Sequence, residues 1–253
     1  MEQTSYKFPS EVVTLPSKGL LYPEGSPLRK GEIEMKYMTA REEDILTNQN
    51  LIQNGTVIDK LLQSLIITPI NYNDLLVGDK NAILVASRIL GYGKDYKFNF
   101  INPKTNKEEV ATVDLTQIDD KNLDESKVVN NKNEFNFSLP ISKRVITFKL
   151  LTHGDEVKME QELKGLEKLG KGNSSLTTRL KHTILSVDGD YDVKKVREFV
   201  DNEFLAIDSK AFRGYVKELM PDVKLVFDYE GPDGKVVEEV PIPIGVTFFW
   251  PES

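Results

Sequence analysis

Two periods in the spacing of hydrophobic residues predict strands and helices in this chain. Residues 32–38 alternate apolar and polar side chains, which is typical of a strand with one buried face. Residues 55–66 and 73–91 instead carry apolar residues three or four positions apart, as on one face of an α-helix. Both patterns recur further along the chain, so the sequence predicts a protein that mixes the two kinds of element.

The first half is predicted to end in a β-hairpin that follows a series of helices. Thr39 is expected to cap the first helix, with Glu42 as its partner in a capping box, and Gly91 to end the last helix. The predicted elements are a strand at 32–38, helices at 39–48, 55–66 and 73–91, and hairpin strands at 96–101 and 108–115.

A second series of elements follows residues 116–134, which are almost all polar and are therefore predicted to form a linker. The predicted elements are strands within 135–151, helices at 152–169, 176–187, 192–204 and 208–220, and strands at 223–230 and 235–242. The last two strands are joined by Gly-Pro-Asp-Gly, which is typical of a hairpin turn.

Matched segments indicate that the second half is a duplicate of the first. TLPSKG corresponds to SLPISK, KYMTAREE to KLLTHGDE, LLQSLI to LKHTIL, and LLVGDKNAILVASRIL to FLAIDSKAFRGYVKEL. The offset grows from 113 between Thr39 and Thr152 to 129 between Asp79 and Asp208, because the second half carries extra residues.

The predicted fold class is α+β, with an internal duplication of a small module and an extended N-terminal arm. Each module contains strands, two to four helices and a β-hairpin. The predicted divisions are an arm at 1–30, a first module at 31–115, a polar linker at 116–134, and a second module at 135–253 that ends in an aromatic tail.

Composition narrows the possible functions. The formal net charge of −7 disfavours nucleic-acid binding, which needs clustered Lys and Arg. The chain has no cysteine, so disulfides, thiol catalysis and cysteine-bound zinc are excluded. We expect a soluble protein that is made and used without crossing a membrane, because we find no signal peptide and no apolar run approaching 18 residues.

Three adjacent carboxylates, Glu42, Glu43 and Asp44, raise the question of a catalytic or metal site. Successive helix positions lie about 100° apart, so Glu42 and Glu43 do not share a face. The matched segment keeps the threonine and two acids but has Val157 in place of Asp44. Acidic residues in a first turn complement the helix dipole, so helix capping is the preferred interpretation.

Two segments begin like ligand-binding loops but lack residues that those loops require. In 165–175, Gly172 stands where a phosphate-binding loop needs Ser or Thr. In 188–192, the carboxylate spacing of a calcium loop is present, but Val193 and Phe199 replace its glycine and its bidentate glutamate.

The two histidines, His153 and His182, occur outside any metal-binding spacing, and His153 is expected at the surface. We therefore expect no catalytic residue, no metal site and no cofactor.

Apolar and aromatic residues near the two ends are the candidate partner-binding residues, since aromatics are favoured at interfaces. They are Leu20, Leu21, Tyr22, Phe248, Phe249 and Trp250. The alternative is that the C-terminal aromatics dock back on the chain's own core.

The segments LPSKGLLYP, MTAREEDIL, LLVGDKNAILVASRILGYGKDY and IPIGVTFFWP resemble the baseplate hub proteins of T-even-like contractile-tailed phages. The resemblance covers residues 15–115 and 240–251. Some members carry Cys-x-x-Cys in the hairpin that here reads FINPKTNKEEV, and this chain lacks that pair.

The resemblance implies a non-enzymatic structural or assembly role in the tail baseplate, with other baseplate and hub proteins as partners. It leaves open a transient assembly chaperone that is absent from the mature virion. A metal-assisted hydrolase that uses Glu42, Asp44 or residues 188–192 is the competing hypothesis of another class.

Overall fold

The N-terminal segment of the chain pairs with the first predicted strand, and the two form a small antiparallel sheet. A computed structural model of the protein describes residues 9–128, 131–170, 174–231 and 234–249. The elements of the first half are β1 (Ser10–Thr14), β2 (Glu32–Lys36), α1 (Ala40–Thr47), α2 (Gln49–Gln53), α3 (Val57–Leu65), α4 (Val77–Tyr92), β3 (Asp95–Ile101) and β4 (Glu108–Asp114).

The second half repeats this order with additional elements. They are β5 (Asp120–Lys121), β6 (Phe135–Ser138), β7 (Val145–Phe148), α5 (His153–Lys168), α6 (Ser175–Thr183), β8 (Ile184–Val187), α7 (Val193–Asn202), α8 (Ala206–Leu219), β9 (Asp222–Val223), β10 (Val226–Glu230) and β11 (Val236–Pro241). Short 3₁₀ turns occur at Pro27–Lys30, Tyr72–Asp74, Leu115–Gln117, Glu125–Lys127 and Val246–Phe249.

The α+β class and the duplication are confirmed by the way in which the sheets are built. β1 pairs with β2 and β6 with β7, both antiparallel. In the second half β8 adds a third strand to β7, and in the first half an antiparallel bridge between Met35 and Ile66 takes the corresponding place. The two halves therefore share one arrangement of strands.

Two predictions about where elements end are wrong. Residues 184–187 form β8 and not the end of a helix, because this apolar run pairs with β7 instead of continuing the helical face. Helix α4 runs past Gly91 to Tyr92 and is capped by Gly93, whose φ of 84° lies in the left-handed region that glycine adopts readily. Gly91 lies against the Met38 side chain, whose terminal methyl would be 2.9 Å from an added Cβ.

The hairpins of the two halves pack against each other through aromatic side chains. The rings of Phe98 and Phe227 lie 5.5 Å apart, and those of Phe100 and Tyr229 lie 4.8 Å apart. Each of these pairs joins residues that are 129 positions apart, which is the offset of the duplication. Contacts between equivalent positions are what a twofold axis produces, so the hairpins meet across an approximate internal twofold axis.

Helix α4 makes a second junction between the halves. Its residue Gly78 lies against the backbone of Pro221, and the Asn81 amide donates to the Asp222 carboxylate at 2.9 Å. Backbone bonds run from Val77 N–H to the Leu151 carbonyl at 3.1 Å and from His153 N–H to the Leu75 carbonyl at 2.7 Å.

The buried hydrophobic residues of both halves form a contiguous cluster. The arm contributes Leu15, Leu21, Tyr22 and Leu28 to it, and the polar segment contributes Leu123. The predicted divisions at residues 30, 115 and 134 stay predictions. Within the described residues, no helix combines the length and apolar character needed to cross a membrane.

Candidate functional site

Of the three acidic residues near the start of α1, Glu42 is bound within the protein, whereas Glu43 and Asp44 are exposed. The backbone N–H and the hydroxyl of Thr39 donate to the Glu42 carboxylate at 3.0 and 2.6 Å, and the Lys36 ammonium lies 2.8 Å from it. The Glu42 side chain is buried. Burial alone would raise its pKa, but the hydrogen bonds from Lys36 and Thr39 outweigh it, so the pKa lies below the ordinary value. The capping box is confirmed.

The duplicate of this corner has the same chemistry. Thr152 donates its N–H and its hydroxyl to Asp155, each at 3.1 Å, and Lys149 lies 2.7 Å from the same carboxylate. Burial opposes the charge of Asp155, but the bonds from Lys149 and Thr152 lower its pKa. A buried acid held by a threonine and a lysine is thus a repeated strand-to-helix corner.

A buried aspartate in each half accepts hydrogen bonds from the turn that follows the first strand of that half. Asp79 accepts hydrogen bonds from the N–H and hydroxyl of Ser17, at 2.9 and 2.6 Å, and from the Tyr22 hydroxyl at 2.6 Å. Asp208 accepts from the N–H groups of Ile141 and Ser142 at 2.8 and 3.0 Å. Both acids stand near the start of a helix, α4 or α8, as the duplication requires.

The pKa values of these two aspartates are shifted in opposite directions. Burial raises the pKa of Asp79, and the bonds from Ser17 and Tyr22 offset this only in part. At Asp208, burial is outweighed by the two backbone N–H donors, which lower the pKa.

The remaining acidic residues considered for a metal site have structural partners or face solvent. Asp188 accepts from Val145 N–H and from Arg144, each at 2.8 Å. Asp190 pairs with Lys195 at 2.6 Å. The Asp192 side chain caps α7, and that of Asp44 is exposed. In the described residues, no group of three or more His, Cys, Asp or Glu side chains is placed to hold a metal ion.

The glycine-rich segment lies only partly within the described residues. Gly165 belongs to α5, whereas residues 171–173 lie outside the part of the chain that the structure describes.

A partly buried polar cluster at the junction between the halves was not predicted. The Lys80 ammonium lies 2.7 Å from Asp59, the Tyr72 hydroxyl donates to Asp59 at 2.9 Å, and His153 Nδ1 lies 3.1 Å from Lys80 Nζ. Burial and the charge of Lys80 lower the pKa of His153. Because an ammonium group can only donate, Nδ1 of a neutral His153 accepts from it.

The prediction that His153 lies at the surface is wrong, since the first residue of α5 is covered by the Lys80 and Tyr72 side chains. No sequence spacing relates the members of this cluster, so no signal was present to find it.

The side chains proposed for partner binding at the N-terminal end are mostly interior. Leu21 and Tyr22 are buried, and Leu20 is partly exposed. The Tyr22 hydroxyl also accepts from Leu76 N–H at 3.0 Å, so this side chain links the arm to the start of α4.

The C-terminal aromatics lie against the first half of the chain. Phe248 and Phe249 are fully buried, which corresponds to the alternative that they dock on the chain's own core. The Phe248 carbonyl accepts from Arg88 Nε at 2.9 Å, and its ring lies 4.7 Å from that of Tyr96. Trp250 lies outside the described residues. A role of these six residues in partner binding stays a prediction.

Arg88 is buried, has no carboxylate partner among the described residues, and binds backbone carbonyls. Besides Phe248, it donates to the carbonyls of Gly93 and Asp95 at 2.9 and 3.3 Å, and its guanidinium packs on the rings of Tyr92 and Tyr96. Burial lowers its pKa. The arginine thus fastens the C-terminal segment to α4 and to the start of β3.

Exposed apolar side chains identify a surface that the sequence analysis missed. Leu205 and Ile207, at the N-terminal end of α8, are 45% and 57% exposed. The helical pattern did not indicate that they are exposed, because an apolar residue on a predicted helix is normally assigned to the buried face.

Comparison with known proteins identifies the class. Residues 10–250 match the family model described as T4 bacteriophage base plate protein, so the chain belongs to that family. It is a baseplate protein of a T4-like phage and a component of the phage tail. No curated protein and no solved structure matches the chain.

Proposed function

We propose that this protein is a non-enzymatic structural component of the baseplate hub of a contractile-tailed phage. It acts through contacts with other baseplate and hub proteins, without nucleic acid, membrane or cofactor, and is assembled into the tail in the host cytoplasm. Membership of the family supports a place in the baseplate. The place in the hub and the non-enzymatic role are our inference.

One observation carries this proposal: three of the segments of the hub resemblance are joined by buried hydrogen bonds. LPSKGLLYP supplies Ser17 and Tyr22, which bind Asp79 of LLVGDKNAILVASRILGYG. Arg88 of the same segment binds the Phe248 carbonyl of IPIGVTFFWP. These segments therefore stabilise the fold, and the polar groups named here bind one another within it.

An inventory of purified tails by quantitative mass spectrometry tests the proposal. We expect the protein in salt-washed particles at a fixed copy number per baseplate. Presence in infected cells with absence from washed particles would contradict residence in the hub and would favour a transient assembly chaperone.

The hydrolase hypothesis is tested separately by calorimetric titration with Mg²⁺, Mn²⁺, Zn²⁺ and Ca²⁺. We expect no binding, because the carboxylates at Glu42 and Asp188 are already held by lysine, arginine and backbone donors. Binding of any of these ions that is lost in Asp188→Asn would instead support a metal site.

A further inference from the structure

One face of α8 is apolar, concave and open to solvent. It forms a shallow groove of about 430 Å³. The groove is lined by Ile207, Lys210, Ala211, Gly214, Tyr215 and Glu218. Residues 207, 211, 214 and 218 follow one another at intervals of four, three and four, so they lie along one face of the helix.

No packing contact within the described chain requires a glycine at position 214. A Cβ at this position would meet no atom within 4 Å, and its φ is not in the left-handed region. Glycine is less favourable than alanine inside a helix. A small residue at the centre of an exposed face does, however, allow another backbone to approach closely.

The duplication shows that the same helix face is a packing surface. In α4 the residues that match Ile207 and Ala211 are Gly78 and Ala82, and this face is covered by β9. A Cβ on Gly78 would lie 1.7 Å from the Pro221 carbonyl oxygen, so only glycine permits this backbone contact. Ile207 prevents the same contact on α8, and the face is suited to an element that packs through side chains.

We propose that the occupant is α8 of a second copy of this chain, antiparallel to the first and related to it by a twofold axis near Gly214. Lys210 and Glu218 stand four residues before and four residues after this glycine. In such a pair Lys210 faces Glu218 of the partner subunit, and the contact occurs twice.

The charges on the α8 face are available for this contact. Both Lys210 and Glu218 are exposed, and neither makes a side-chain hydrogen bond or ion pair within the described residues. With Ala211 and Gly214 between them, the two helices can approach at the short end of the usual range of about 8–10 Å. Ile207 is then covered by the partner subunit. The pairing is independent of the proposed place in the hub.

Charge reversal in the full-length protein tests the pairing by sedimentation equilibrium. We expect the wild type to dimerise, and Lys210→Glu and Glu218→Lys each to weaken the dimer at least about tenfold, because like charges then face each other twice. An equimolar mixture of the two variants should recover dimerisation, since both contacts become Glu–Lys pairs. In parallel alignment like charges would face each other in the wild type as well as in each single variant, so weakening of the dimer by both single variants is specific to the antiparallel pair.

Gly214→Gln should also abolish the dimer, whereas Gly165→Gln, on the exposed face of α5, should leave it unchanged. Circular dichroism of each variant establishes that the chain stays folded. A wild type that is monomeric at about 100 μM, or a mixture that fails to recover, overturns the proposal.

Discussion

The Glu162 carboxylate links three helices of the second half through charged hydrogen bonds. On α5, it accepts two hydrogen bonds from Arg197 of α7, at 2.8 and 2.9 Å, and one from His182 of α6 at 2.9 Å. The hydrogen bonds from Arg197, together with that from His182, lower its pKa to about 2, although partial burial acts in the opposite direction.

The pH dependence of stability should report this network. Because the folded-state pKa of Glu162 lies below the ordinary value of 4.5, its contribution is present above pH 4.5 and is lost as the pH falls towards 2. We expect Glu162→Gln to lower the free energy of unfolding by about 1–2 kcal/mol at pH 7, after allowance for solvent screening. Urea unfolding at pH 7, 5, 4 and 3 should show that the gap narrows below pH 4.5.

Glu160 is a matched control two positions away. It forms an exposed pair with Lys164 on the same helix, so Glu160→Gln should change the unfolding free energy by less than about 0.5 kcal/mol at any of these pH values. A difference between wild type and Glu162→Gln that is constant with pH would contradict the assigned pKa.

Single residues also show which parts of a site are predictable. The capping box of Thr39 and Glu42 follows from sequence because its partners lie three positions apart on a helix start. Arg197 lies 35 positions from Glu162, and Lys80 lies 73 from His153. Such contacts arise when separate helices pack, and no local pattern encodes them.

At the scale of elements, the crossing of α4 and β9 depends on a single missing side chain. The backbone of Pro221 occupies the space that a Cβ on Gly78 would need. The crossing therefore couples a helix of the first half to a strand of the second.

Gly78→Ala should push these elements apart and lower the free energy of unfolding by about 3 kcal/mol, the upper part of the range for an overpacked interior. Gly165→Ala in α5 is the matched helical control. No atom of the described residues lies within 4 Å of its added carbon, so we expect the free energy of unfolding to rise by about 0.5–1 kcal/mol. Denaturant unfolding of both variants at pH 7 makes the comparison, and equal effects would refute the crossing.

The elements themselves were largely predictable, and the exceptions have physical reasons. The spacing of hydrophobic residues located α3 and α4, whose apolar faces are buried, and the alternation of apolar and polar residues located β3. Periodicity could not separate β8 from the end of α6, because a run of four residues is too short to distinguish the two periods.

At the scale of the whole molecule, the C-terminal segment completes the core of the first half. Phe248 and Phe249 are buried there, and Arg88 holds the Phe248 carbonyl. The duplication was visible in sequence because matched residues keep their order. The packing of the C-terminal segment against the first half could not be predicted from sequence, since the contact joins residues 160 positions apart.

Phe248→Ala should lower the free energy of unfolding by about 3–5 kcal/mol, because it leaves a cavity in a packed interior. Tyr191→Ala removes an aromatic ring of similar size that is 57% exposed, and should cost less than about 0.5 kcal/mol. Thermal and urea unfolding provide both values. A loss below about 1 kcal/mol at Phe248 would show that its ring contributes little to the core.

The contact between Arg88 and Phe248 also bears on the order of events at the ribosome. Translation at about 5–20 residues per second needs roughly 10–30 s to pass from the first of these residues to the second. Throughout that interval the Tyr96 ring and the guanidinium of Arg88 lack their contacts with Phe248. The first half therefore emerges as a nascent chain with an unfinished interior, and it reaches its native state only after the second half has been synthesised.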